Sequence, residues 1–372
     1  MNIPGWRSSQ KYVVIESDDW GTIRTSSREA LAQLHQKGYP VLEGAYCKYD
    51  ALECNQDLEQ LYEVLSSVKD ANGNPAVITA NNIVANPDFE KIKAASFKKY
   101  FFEPFTQTLQ QYTAHNNVFS LYQQGILAGV FWPQFHGREH VNVGRWLRAL
   151  QAGSKPVHDA FDCKMFSMHV MLQPAYFNVY MDALDCDGPE DLANTTALLT
   201  EGLQLFEDTW GFKSRSFIAP CYIWRSEHEA AVAAAGVKYL QGLPYQYQPK
   251  LQPGTSYQKK YHTAGSRNTL GQRYLVRNAF FEPTPYPAIN WVDECLYRIE
   301  TAFRWGKPAI ISSHRLNFMG HLYPENREKN LRLLKKLLQT ITQKWPEVMF
   351  VSSDELGDIF AGIPSLRHLP KN

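Results

Sequence analysis

Apolar and polar positions along the chain switch repeatedly between two periods. Short runs rich in β-branched residues, such as Tyr12-Val13-Val14-Ile15, predict buried strands. The stretches 76–84, 216–219, 238–240, 274–281, 308–314 and 348–351 carry the same signal. Between them lie segments of helical period. Residues 55–69 place Leu58, Leu61, Val64 and Leu65 on one side, and 142–150, 191–210, 290–305 and 326–344 behave alike. Ser26-Ser27-Arg28-Glu29 and Ser226-Glu227-His228-Glu229 offer capping boxes, with Gly38 and Gly236 as the matching stops. Such alternation predicts an α/β architecture with parallel strands in a single domain over residues 1–372. The stretch 243–271 has little apolar periodicity and is expected to be an irregular insertion or cap over the site.

Composition narrows the function classes. The 38 basic and 37 acidic residues leave a net charge of +1, which argues against nucleic acid or a membrane surface as partner. No apolar run is long enough to cross a bilayer. Met1-Asn2-Ile3-Pro4-Gly5-Trp6 has neither a basic n-region nor an apolar h-region, so no signal peptide and a cytoplasmic location are expected. The six cysteines are scattered without a CxxC, which predicts reduced thiols rather than disulfides or a structural zinc site.

Three of the predicted strands end on titratable residues. Ser17-Asp18-Asp19-Trp20-Gly21 closes the first, and two adjacent carboxylates resist joint ionisation unless a cation relieves one of them. Phe131-Trp132-Pro133-Gln134-Phe135 leads into His136-Gly137-Arg138-Glu139-His140. The spacing of the two histidines puts both imidazoles on one face of a helical turn, within reach of one metal. One carboxylate and two imidazoles with open positions suit zinc or another catalytic divalent metal. Pro308-Ala309-Ile310-Ile311-Ser312-Ser313 ends on His314, a side chain able to give a proton to a leaving group near neutral pH. In parallel α/β barrels the C-terminal strand ends converge on one mouth.

In this order the motifs resemble those of polysaccharide deacetylases of the NodB-homology class, carbohydrate esterase family four. That resemblance implies a distorted (β/α) barrel of about seven parallel strands. Ser17-Asp18-Asp19-Trp20 stands where the family has T-F-D-D-G, which would make Asp18 the base and Asp19 a metal ligand. His136 and His140 match the spacing of H-[S/T]-x-x-H, with Gly137 in place of the hydroxyl residue. Ile218-Ala219-Pro220-Cys221 followed by Tyr222 is similar to R-P-P-Y, without its Arg and with the Tyr one place late; the Cys221 N–H would serve a developing oxyanion. Asn278 to Glu282 loosely echoes D-x-x-D-W, and Ser312-Ser313-His314 answers L-x-H.

The resemblance implies metal-dependent removal of an N- or O-acetyl group from a carbohydrate, with a divalent metal, zinc first, held by Asp19, His136 and His140. Asp18 would act as base and His314 as acid, with Trp20, Tyr222 and Trp224 as sugar-stacking candidates; each of these rings is equally suited to core packing. Two rivals remain. A glycoside hydrolase would need a second carboxylate opposite Asp18, with Glu139 and Glu282 as candidates. A carbohydrate-binding protein that has lost activity would keep the barrel but not the turnover.

Overall fold

The computed structural model describes residues 4–168, 180–254 and 257–363. Its strands in chain order are β1 (Tyr12–Trp20), β2 (Ile78–Ile83), β3 (Ala85–Pro87), β4 (Phe102–Pro104), β5 (Phe131–Gly137), β6 (Ser216–Ile218) and β7 (Tyr239–Gly242). Then follow β8 (Tyr245–Pro249), β9 (Tyr257–Tyr261), β10 (Arg273–Val276), β11 (Ala279–Phe280), β12 (Ala309–His314) and β13 (Met349–Phe350). Nine of them form one sheet in the order β10-β7-β6-β5-β2-β1-β12-β11, with β13 paired to β1. Every pairing in that sheet is parallel.

The expected strand 274–281 is divided, and the division shapes the barrel. β10 pairs with β7 at one end of the sheet, and β11 pairs with β12 at the other. Only Arg277 and Asn278 separate them. The Arg277 N–H bonds Gly242 O at 2.9 Å and the Asn278 N–H bonds Ile310 O at 3.1 Å, so the chain crosses the gap between the two edges. Six whole strands and this split one make a distorted (β/α) barrel of seven positions.

Strand alternation sorts side chains between two layers. Val13 and Ile15 of β1 share a cluster with Leu58, Leu61 and Leu65 of the helix Asn55–Ser66 and with Leu334 and Leu338 of the helix Pro324–Lys344. Val14 points the other way and packs with Phe217, Leu240, Leu275 and Ile310 inside the barrel. Continuing that parity carries Glu16 and Asp18, and on β12 Ser312 and His314, along the inner face toward the C-terminal end.

Most predicted helices are present, with ends moved by a few residues. Ser27 caps the helix Arg28–Gln36, its hydroxyl accepting from the Ala30 N–H. At the second box the cap is Arg225, one place before the expected Ser. Part of the 243–271 stretch is regular: β8 and β9 pair as an antiparallel hairpin beside the turn after β6, anchored by Trp224 N–H to Tyr247 O at 3.1 Å. Tyr and Gln alternate along Tyr245-Gln246-Tyr247-Gln248, so the strand lacked the aliphatic signal by which the others were read. All six cysteines are free, as their scatter predicted. No described helix is long and apolar enough to cross a membrane.

Candidate metal centre

Asp19, His136 and His140 converge although strand geometry alone would part the two aspartates. Alternation directs Asp18 inward and Asp19 outward. A register shift between Ser17 and Trp20 breaks the alternation, and Asp19 takes φ +77°, a left-handed conformation costing a non-glycine residue about 1–3 kcal/mol. Asp19 Oδ1 then lies 3.3 Å from His136 Nε2 and 3.1 Å from His140 Nε2.

The histidines do not share a helical turn. His136 is the penultimate residue of β5, and His140 lies in the bend before the helix Val143–Gln151. A curl at Gly137 brings the rings together, their centroids 5.1 Å apart. Gly137 has φ +149°, and a Cβ there would sit 3.1 Å from Glu139 O, which accounts for glycine at this place.

The three residues fit a divalent cation. Their ligand atoms lie within 4.8 Å of one another. His136 Nδ1–H donates to Ile218 O at 2.9 Å, which fixes the tautomer and leaves the Nε2 lone pair facing Asp19. All three are buried, at 2–5% exposure, and so have little water to compete with a cation.

Asp18 has a guanidinium that the sequence reading missed. Arg277 is fully buried at the strand break and grips Asp18 with both terminal nitrogens, at 2.7 and 2.6 Å, while its Nε reaches Glu16 at 2.5 Å. Asn81 of β2 donates to Asp18 Oδ1 at 2.7 Å. Burial by itself would raise the Asp18 pKa, but Arg277 brings it down to about 2. The Arg absent from the turn after β6 is thus answered from a different strand. Its sequence signal was a lone Arg in an apolar stretch, at the residue where the strand changes partner.

His314 pairs in register with Asp18 across β1 and β12, and its Nε2 lies 3.8 Å from Asp18 Oδ2. Its Nδ1–H donates to Glu282 Oε1 at 2.7 Å. Burial lowers the imidazole pKa, yet the Glu282 carboxylate outweighs it and the aspartates add to the effect, raising the value to about 9. Glu282 also accepts from Asn317 Nδ2 at 2.8 Å, and Glu139 is held by Arg138 Nε at 2.7 Å. Of the two carboxylates that a glycosidase reading would use, Glu139 is paired with Arg138 and Glu282 with His314.

The turn Pro220–Tyr222 carries Cys221 and Tyr222 at φ +56° and +58°. The Tyr222 N–H bonds Ala219 O, whereas the Cys221 N–H has no backbone acceptor among the described residues. Tyr222 is half-buried, its hydroxyl 3.0 Å from Arg277 Nη1. The two tryptophans are not sugar platforms. Trp20 is 0% exposed, edge-on to Phe131 and Tyr122 with its N–H on Ser17, and Trp224 is 3% exposed with its N–H on Glu229. Each ring is buried in the core.

No family model and no curated protein matches the chain. Solved structures do. A Parabacteroides distasonis protein named as a glycoside hydrolase/deacetylase aligns at TM-score 0.50 and 9% identity, over 96% of this chain and 73% of that one. The 4-alpha-glucanotransferase of Thermococcus litoralis aligns at 0.46 and 9%, over 93% of this chain, which spans 40% of the glucanotransferase's length. A family 4 carbohydrate esterase from Streptomyces lividans, in complex with acetate, aligns at 0.37 and 12%, over 91% and 90% of the two chains. The likeness to the Parabacteroides distasonis structure shows a shared fold, a distorted (β/α) barrel.

Proposed function

We propose that the protein is a metal-dependent hydrolase that removes an acetyl group from a carbohydrate. The observation carrying this reading is the meeting of Asp19, His136 and His140 with Asp18 and His314 at the C-terminal ends of β1, β5 and β12. Asp19, His136 and His140 would hold a divalent cation, zinc first, which would supply Lewis-acid polarisation of the acyl carbonyl and ease ionisation of water.

The chain's own groups divide the remaining work. Asp18, ionised and held in one orientation by Arg277 and Asn81, accepts the proton of the attacking water. The Cys221 N–H, with no backbone acceptor among the described residues, donates to the developing oxyanion. His314, protonated through its contact with Glu282, gives the Nε2 proton to the departing nitrogen or oxygen. Tyr222 is the remaining candidate for a sugar contact.

The role of His314 has a direct test. His314→Ala should damage hydrolysis of an amide or alkyl ester by about 10²–10⁴-fold, the usual worth of a positioned acid, and that of an activated aryl ester far less. Equal losses on both substrates would show that His314 positions groups and does not protonate the leaving group.

A further inference from the structure

Arg24 stands five residues beyond Asp19, on a loop that the fold holds on both sides. The Thr22 N–H turns back to Asp19 O at 3.3 Å, the Ile23 N–H bonds Asn86 Oδ1 at 2.7 Å, and the Thr25 N–H bonds Asp50 O at 3.2 Å. Its guanidinium lies 4.8 Å from the ring centroid of Tyr46, and Tyr46 is edge-on to His314 at 5.6 Å. Tyr46 thus places Arg24 one ring away from His314, at the mouth that the metal cluster shares.

This side chain is buried and ion-paired with Asp50 through Nε alone, which leaves its terminal nitrogens open. Arg24 is 9% exposed. Its Nε is 3.1 Å from Asp50 Oδ2 without hydrogen-bond geometry, and among the described residues Nη1 and Nη2 donate to nothing. Asp50 has a better partner in Arg315, whose Nε donates to Oδ1 at 3.0 Å while Nη1 reaches Glu53 at 2.6 Å. The other two buried arginines near the mouth, Arg277 and Arg315, are by contrast satisfied by carboxylates of the chain. Nε is sealed from solvent, so what access remains belongs to the terminal fork.

A fixed, planar guanidinium with two free terminal donors is built for a planar anion taken side-on. We propose that Arg24 is a specificity-determining residue that binds a carboxylate carried by the substrate, so that the natural substrate is an acidic, uronate-type saccharide rather than a neutral one. The inference rests on the carbohydrate reading of the site. It does not depend on the acyl chemistry, because the fork recognises the sugar and takes no part in bond cleavage.

The test is binding to the zinc-loaded full chain. The probes are acyl-free trisaccharides in gluco, galacto and manno configuration, each as the uronate and as its carboxyl-reduced counterpart. In at least one pair the wild type should bind the uronate about tenfold or more tightly, the scale of one desolvated bidentate pair. Arg24→Gln should close that gap, and Arg24→Lys, which keeps the charge beside Asp50 but not the fork, should narrow it. No gap in any pair for the wild type, or a gap that survives Arg24→Gln, overturns the proposal. Should Arg24→Gln fail to fold, as its melting curve would show, Arg24→Lys decides by whether the gap narrows. Acetate release from acetylated versions of the same sugars scores the proposed activity separately: a uronate preference without acetate sinks the deacetylase reading and leaves Arg24 in place.

Discussion

Replacing Arg277 by Met probes how the barrel stores the charge its site needs. The guanidinium is 0% exposed and balances Glu16, also 0% exposed, and Asp18, 4% exposed at the side chain. Removing it leaves two buried carboxylates, and breaking a buried ion pair from one side costs about 3–5 kcal/mol. Unfolding entropy near 2.1 cal/mol/K per residue gives about 0.8 kcal/mol/K for this chain, so the melting temperature should fall by about 4–6 °C. The assay is thermal unfolding of the metal-stripped protein in a double-mutant cycle with Asp18→Asn. In that background Arg277→Met leaves only Glu16 unpaired and should cost less, with a coupling of about 1–3 kcal/mol between the two sites. A loss below about 1 kcal/mol, or additive effects, would refute the view that Arg277 compensates Asp18.

Two further predictions concern roles within the site. Asp19→Asn should lower bound metal, whereas Asp18→Asn should abolish turnover with metal content near wild type; equal metal loss in both would mean that the pair shares the cation. The raised pKa of His314 means that its acid form persists until pH passes about 9. Activity that depends on that proton should stay full through neutral pH and fall as pH rises through about 9. Glu282→Gln removes the partner carboxylate and should move the alkaline limb to lower pH, and an unmoved limb would mean that Glu282 does not tune His314.

Much of this was legible because strands and helices differ in period, and because chemistry collected at strand ends. Asp18, Asp19, His136, His140 and His314 each close an apolar run, and the structure brings all five together. What was hidden depended on long-range contacts. Arg277 meets Asp18 across 259 residues of chain, in a strand that changes partner where a sequence window sees one continuous run. Aromatic residues carry no mark of which face they take. Trp20 and Trp224 stand next to site residues in sequence and yet turn into the core, while Tyr222 stays at the mouth. The histidine spacing suggested a helical turn, but the same spacing is met by a strand end and a bend once glycine permits φ +149°.

The most direct test of the central claim is the acetate released from acetylated oligosaccharides by zinc-reconstituted protein, measured beside metal content. The account predicts about one zinc per chain and acetate release by the wild type, and in Asp19→Asn less zinc and no acetate release. Zinc bound at full stoichiometry with saccharide bound and no acetate released would contradict it, and would make this barrel a carbohydrate-binding protein without turnover.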